Sequence, residues 1–126
     1  MKALDTNVLA RLLTRDDAAQ VKKAESFVKQ GAWVSTLVLT ECIWVLEAAY
    51  GLKKVQIITV VEMLLNHANL VLQDVDMIEE ALDAYRNSKK VGFSDHLILA
   101  TAHKAGHKPL GSFDRALARL EGVEEL

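Results

Sequence analysis

Residues 2–13 have the sequence KALDTNVLARLL, and this stretch predicts a short strand that leads directly into a helix. The run from residue 2 to residue 5 is strand-like, and Asp5, Thr6 and Asn7 offer side chains that commonly cap a helix N-terminus. The apolar residues that follow at helical spacing are Val8, Leu9, Leu12 and Leu13. A strand followed at once by a helix is the first half of a β-α-β unit.

The same alternation continues along the chain. Apolar spacing predicts helices over residues 16–30, 36–50, about 55–67, 74–89, 94–105 and about 114–120. Short apolar runs predict strands at residues 33–35, 70–72 and 109–112, with a weak fifth strand at 123–126. Gly31, Gly51 and Gly106 are placed to end three of the helices. The pattern predicts an α/β fold with a mostly parallel central sheet of four or five strands, covered by helices on both faces.

Length and composition favour one folded domain over residues 1–126. Apolar residues make up 51% of the sequence and charged residues 25%, which is enough for a core and leaves little that resembles a linker. Fifteen Lys and Arg stand against seventeen Asp and Glu, a formal charge of −2. This balance argues against a broad basic surface that binds nucleic acid by charge alone.

The chain is expected to be a cytoplasmic protein. Cys42 is the single cysteine, so no disulfide forms within the chain, as expected in a reducing compartment. The N-terminal residues lack the long apolar stretch of a signal peptide, and no apolar run is long enough to span a bilayer.

Two predicted helices, residues 36–50 and 55–67, carry apolar side chains nearly all round. A helix without a clear polar face is either deeply buried or covered by a partner, and a domain of this size has limited interior. We therefore expect an oligomer interface in this region.

Four acids occupy positions from which they could meet at one edge of the sheet. Asp5 and Asp114 follow strand-like segments, Asp95 opens a helix, and Glu41 lies in the first turns of the helix after the second strand. In parallel sheets functional groups gather beyond the carboxyl ends of the strands. Each Asp also has a simpler explanation, because Asp near a helix start caps exposed backbone N–H groups. Glu41 fits that explanation less well: its apolar neighbours suggest a carboxylate that needs a partner or a metal, unless the side chain faces solvent on its own side of the helix.

Acids gathered in this way would require a cation. Two like charges about 4 Å apart repel by about 4 kcal/mol at an effective dielectric near 20. Oxygen-only ligands suit Mg²⁺ or Mn²⁺, which keep several bound waters. Such a site can activate water for phosphoester hydrolysis.

Four sequence motifs resemble those of the PIN domain family, in particular its VapC-type ribonuclease toxins. They are Ala3-Leu4-Asp5-Thr6-Asn7, Thr40-Glu41, Phe93-Ser94-Asp95 with the helix at residues 97–102, and Ser112-Phe113-Asp114. They occur in order and together cover essentially the whole chain.

The resemblance implies a three-layer α/β/α sandwich that cleaves RNA with Mg²⁺ or Mn²⁺ and is inhibited by a small cognate antitoxin protein. It also implies homodimers paired through helices within residues 36–67. The implied acidic site consists of Asp5, Glu41, Asp95 and Asp114, with Asp5 and Asp95 as direct metal ligands and the other two acting through water. Asn7 and Ser112 match the small polar residues that orient the acids, although turn and cap hydrogen bonds explain them comparably well.

Several alternatives stay open from the sequence. A phosphatase or phosphotransferase with an aspartyl nucleophile also has Asp after the first strand, but its pattern requires a second Asp where this chain has Asn7. Dinucleotide binding is disfavoured, because no Gly-rich turn follows the first predicted strand. His96, His103 and His107 have spacings that can bind zinc, yet surface or partly buried histidines without a metal are favoured. A non-toxin RNA-processing PIN nuclease and an inactive RNA- or partner-binding PIN module are the two alternatives that keep the fold.

Overall fold

A computed structural model describes all 126 residues. The strands are β1 (Lys2–Ala3), β2 (Ala32–Val34), β3 (Leu70–Leu72), β4 (Leu110–Ser112) and β5 (Val123–Glu125). The helices are α1 (Thr6–Thr14), α2 (Ala18–Val28), α3 (Thr36–Tyr50), α4 (Lys54–Leu65), α5 (Val75–Arg86) and α6 (Phe93–Lys104), with a 3₁₀ turn at Leu117–Arg119. The chain divides into two compact units, residues 1–74 and 75–126. None of the helices is long and apolar enough to cross a membrane.

The first unit is built on a three-stranded parallel sheet with strand order β1-β2-β3. Trp33 is in register with Ala3 on one side and Val71 on the other. Ala32 and Val34 are fully buried while Trp33 between them is exposed, because successive side chains of a strand point to opposite faces. The predicted strands 33–35 and 70–72 are therefore present, the first shifted by one residue.

Local capping fixes the helices of the first unit. The Asp17 carboxylate accepts the Gln20 N–H at 3.0 Å and starts α2. Ser35 accepts the Val38 N–H at 3.1 Å and starts α3, which ends where Gly51 takes the left-handed conformation at φ 65°. The predicted bounds 36–50 of this helix are confirmed.

The second unit combines α5 and α6 with the parallel pair β4-β5. Its core includes Ile78, Leu82 and Phe93, and the Tyr85 and Phe93 rings meet edge-on with centroids 5.6 Å apart. The helix predicted at about 114–120 is wrong: only the 3₁₀ turn forms, because the backbone is already extended at Leu120 and so short a segment gains too few hydrogen bonds to propagate a helix. The α/β class with parallel strands is confirmed, its five strands being distributed as three and two.

Candidate active site

Asp5 follows β1 and is the N-cap of α1. One carboxylate oxygen, Oδ1, accepts the Val8 N–H at 3.1 Å, and the Asp5 carbonyl accepts the Leu9 N–H at 3.2 Å. The side chain is exposed, and Oδ2 makes no hydrogen bond or ion pair within the protein. The capping explanation is thus correct for Asp5, and it leaves one oxygen for another ligand.

Asp5 also opens onto a cleft between α1 and α2. This α1–α2 cleft has a volume of about 570 Å³ and is lined by Asp5, Asn7, Val8, Arg11, Lys23 and Phe27, among others. Asn7 is exposed and shares the cleft wall with Asp5. Its predicted role in orienting the acids stays a prediction.

Glu41 is exposed on α3, so its carboxylate faces solvent on its own side of the helix although its sequence neighbours are apolar. Leu39, Cys42 and Ile43 are fully buried and occupy the inner side of the helix. Glu41 lies on the outer side with Leu37 four residues before it and Trp44 three residues after it, both exposed. We call Leu37, Glu41 and Trp44 the α3 stripe.

Gln73 was missed by sequence reasoning although it holds the start of the helix that carries Glu41. Its backbone N–H donates to the Val34 carbonyl at 2.9 Å, and its side-chain oxygen accepts the Thr36 N–H at 2.9 Å. It thereby ties the end of β3 to the end of β2 and the first turn of α3. The available signal was a polar residue directly after a buried strand.

Asp95 lies in the first turn of α6 and is half-buried. Its charge there is favourable, because the N-terminal end of a helix carries a partial positive charge. The next residue, His96, is only 3% exposed, and its Nε2 lies 2.8 Å from the Ser88 hydroxyl. The expectation of a surface or partly buried histidine is wrong for His96, since it shares the inner face of α6 with Phe93 and Ala100.

Asp114 and Ser112 form a hydrogen-bonded turn after β4. The Ser112 hydroxyl accepts the Asp114 N–H at 3.0 Å, and Asp114 Oδ1 accepts the Leu117 N–H at 3.0 Å. Asp114 is exposed. Both residues therefore make the turn and cap hydrogen bonds that the sequence allowed, and Ser112 fixes the backbone from which the Asp114 carboxylate projects.

No group of three or more His, Cys, Asp or Glu side chains is arranged to hold a metal ion. This applies to the histidines on α6 as well as to the four acids, whose convergence stays a prediction. The chemistry of the candidate donors does suit a hard divalent cation, since all are carboxylate oxygens and Asp5 Oδ2 is uncommitted. Mg²⁺ commonly binds through one or two carboxylates, with water and substrate phosphate as its other ligands. One or two of the candidate carboxylates, Asp5 among them, would be enough to bind the ion in this way.

A polar network holds Arg11 and Gln20, which line the α1–α2 cleft. Arg11 donates from Nε to Gln20 Oε1 at 2.6 Å and from Nη1 to Asp16. Tyr50 and Thr14 donate their hydroxyls to the same Asp16 carboxylate at 2.8 and 2.9 Å. These donors, Tyr50 first and then Arg11, hold the pKa of Asp16 well below its usual value, and the pKa of Arg11 is raised in turn.

Cys42 is packed in the interior of the first unit, on the side of α3 opposite the α3 stripe. Burial raises the pKa of its thiol to about 12, with a smaller contribution from the neighbouring Glu41 charge. The thiol is therefore protonated and inert at neutral pH.

The fold and the site together define an α/β protein with parallel strands and with acids placed after strands and at helix starts. The PIN domain model matches residues 2–123, and the chain belongs to this family, a family of nucleases that use divalent metals. The predicted family is thus confirmed, and the match spans both units. Among solved structures, the chain is similar to the Mycobacterium tuberculosis toxin VapC20, which cleaves the sarcin–ricin loop, at 19% identity and a TM-score of 0.45 over 98% of each chain. No curated protein matches the chain.

Proposed function

We propose that this chain is a Mg²⁺- or Mn²⁺-dependent endoribonuclease that hydrolyses RNA phosphodiester bonds and acts as the toxin of a toxin–antitoxin pair. The observation that carries the proposal is membership of the PIN family over residues 2–123. The exposed Asp5, two residues after the end of β1 and with one carboxylate oxygen uncommitted, supports it. The choice of RNA and the toxin role rest on the VapC-type motifs of the sequence.

The proposal assigns direct metal binding to Asp5 and Asp95, and water-mediated binding to Glu41 and Asp114. A bound Mg²⁺ or Mn²⁺ supplies an activated water and neutralises charge on the phosphoryl oxygens. Ser112 holds the backbone of Asp114, as described above, and Gln73 holds the helix of Glu41. Asn7, which lines the α1–α2 cleft beside Asp5, is assigned the role of orienting that acid.

Metal-dependent cleavage of RNA tests the catalytic part of the proposal. The purified chain should cleave RNA with Mg²⁺ or Mn²⁺ and stop with EDTA, and Asp5→Asn or Asp95→Asn should lower kcat by about 100-fold or more. Asp17→Asn is the matched control, because Asp17 caps α2 as Asp5 caps α1 and Asn caps about as well as Asp. Cleavage that survives EDTA, or Asp5→Asn activity equal to that of Asp17→Asn, would refute the assignment.

Co-purification tests the toxin part. A toxin should arrest growth when expressed alone and should co-purify with a small protein encoded beside it, which relieves the arrest. RNA cleavage without arrest or partner would favour an RNA-processing PIN nuclease instead. Metal-dependent RNA binding without cleavage, across varied RNAs, would favour an inactive binding module.

A homodimer completes the proposal. Two members of the α3 stripe are strongly exposed, Leu37 at 83% and Trp44 at 67%, and Val55 and Met63 of α4 are exposed at 75% and 57%. Several large, exposed apolar side chains on neighbouring helices are typical of a protein–protein interface. A second copy of this chain is the proposed partner, as the PIN resemblance implies.

A further inference from the structure

The α1–α2 cleft is a preformed depression beside the candidate acid Asp5. Its volume of about 570 Å³ falls within the range of pockets that hold small-molecule-sized groups, about 300–1,000 Å³. Val8, Ala24 and Phe27 give it an apolar wall, and the Phe27 side chain is 38% exposed. An accessible aromatic ring next to apolar neighbours offers a surface on which a planar group can pack.

Two ammonium groups without carboxylate partners lie near this aromatic wall. Lys23 lines the cleft from α2, and the Lys2 Nζ lies over one face of the Phe27 ring, 4.7 Å from its centroid, so a planar ligand would pack on the other face. Both side chains are exposed, and neither forms an ion pair. Even with the Asp5 carboxylate on the same cleft wall, the two ammonium groups leave a net positive charge around the aromatic ring.

The remaining cation of the cleft is already used and serves as a brace. Arg11 projects from α1, and its guanidinium is held by Gln20 of α2 and by Asp16 of the intervening loop. This bridge links the two helices that form the walls. Walls that are already held together before a ligand arrives lower the cost of binding.

We propose that the α1–α2 cleft binds a single-stranded segment of RNA, with one base packed against Phe27 and backbone phosphates at Lys2 and Lys23. Sites for single-stranded nucleic acid combine positive charge with aromatic rings in this way. A base within a duplex is stacked and paired, so its face cannot reach Phe27. The inference rests on the proposed function, because Asp5 at the cleft wall is one of the proposed acids.

Fluorescence anisotropy with a 5′-fluorescein-labelled single-stranded RNA 12-mer of random sequence tests the proposal. Measurements are made in EDTA, so that binding is read without cleavage. Phe27→Leu keeps an apolar side chain but removes the ring, and binding should weaken about 5- to 100-fold. Lys23→Gln should lower the slope of log K against log salt by about 0.7, the value for one phosphate contact on a single strand.

Lys22→Gln is the matched control, because Lys22 is the exposed neighbour of Lys23 on α2 and does not line the cleft. It should leave affinity and salt slope unchanged, and the matched 12-mer duplex should bind more weakly than the single strand. Circular dichroism melts of each variant establish that it is folded. Equal binding by all three variants would overturn the proposal.

The outcomes separate this inference from the proposed function. RNA cleavage that persists with unchanged RNA affinity in Phe27→Leu and Lys23→Gln overturns the cleft assignment and leaves the nuclease standing. RNA binding that follows the cleft variants, with no cleavage under any metal, supports the cleft and refutes the nuclease. Unchanged RNA binding together with loss of a co-purifying small protein in the cleft variants identifies a protein as the occupant and also overturns the proposal.

Discussion

At the scale of single residues, Gly122 is the position where the backbone and its surroundings most restrict side-chain choice. Its φ is +83°, and a Cβ there would lie 2.4 Å from His103 Nε2, an atom that is buried without a hydrogen-bond partner. Gly122→Ala should lower the free energy of unfolding by about 1–3 kcal/mol from the left-handed conformation alone, with a further loss from the steric contact. Thermal and urea unfolding measure this.

Gly106→Ala separates the two contributions. Gly106 has nearly the same φ, +86°, but no atom lies within 4 Å of the added Cβ. Gly106→Ala should therefore lower the free energy of unfolding only by the cost of the left-handed conformation. Gly122→Ala should be clearly the less stable variant. Equal stability of the two would mean that the His103 ring moves aside at no cost.

At the scale of elements, Asp16 connects the end of α1 with the end of α3 by accepting hydrogen bonds from Arg11, Thr14 and Tyr50. The folded-state pKa is lowered relative to the unfolded chain. A carboxylate whose pKa is lowered on folding stabilises the folded state fully above its unfolded pKa, which is about 4 for Asp. This stabilisation is lost as the pH falls toward and through the folded-state pKa. Asp16→Asn should therefore lower Tm at pH 7. The Tm difference between the variant and the unsubstituted protein should become smaller in acid.

Two comparisons sharpen this experiment. Tyr50→Phe removes the first cause of the shift, so it should reduce the acid dependence while it keeps the Arg11 pair. Added salt should reduce the Asp16→Asn effect, since the carboxylate is 44% exposed and the pair is screened. A Tm difference that stays constant from pH 7 to about pH 3 would contradict the assigned pKa shift.

The elements also explain what the sequence could and could not predict. The bounds of α3 were predictable because Ser35 and Gly51 mark its ends chemically. The outward direction of Glu41 was not, because α3 is apolar nearly all round and no polar face identifies its outer side. The role of Gln73 depends on which strand ends are neighbours, and that is a property of the sheet. The four candidate acids could be chosen from their places relative to predicted strands and helices. The distances between them could not be predicted, because they depend on how those elements pack.

At the scale of the whole molecule, the α3 stripe predicts self-association. Trp44→Ser should shift the chain from twice its mass of 13.9 kDa toward the monomer in light scattering coupled to size exclusion, because a large apolar contact is lost. Phe113→Ser is the matched control: Phe113 is 82% exposed and lies outside α3 and α4, so the dimer should persist. A monomeric unsubstituted protein at tens of micromolar would refute the dimer, and dissociation by Phe113→Ser alone would place the interface elsewhere.

Glu41 lies between Leu37 and Trp44, so dimer formation through the α3 stripe would also change the surroundings of a candidate acid. We therefore expect kcat to change with protein concentration over the range around the dimer dissociation constant.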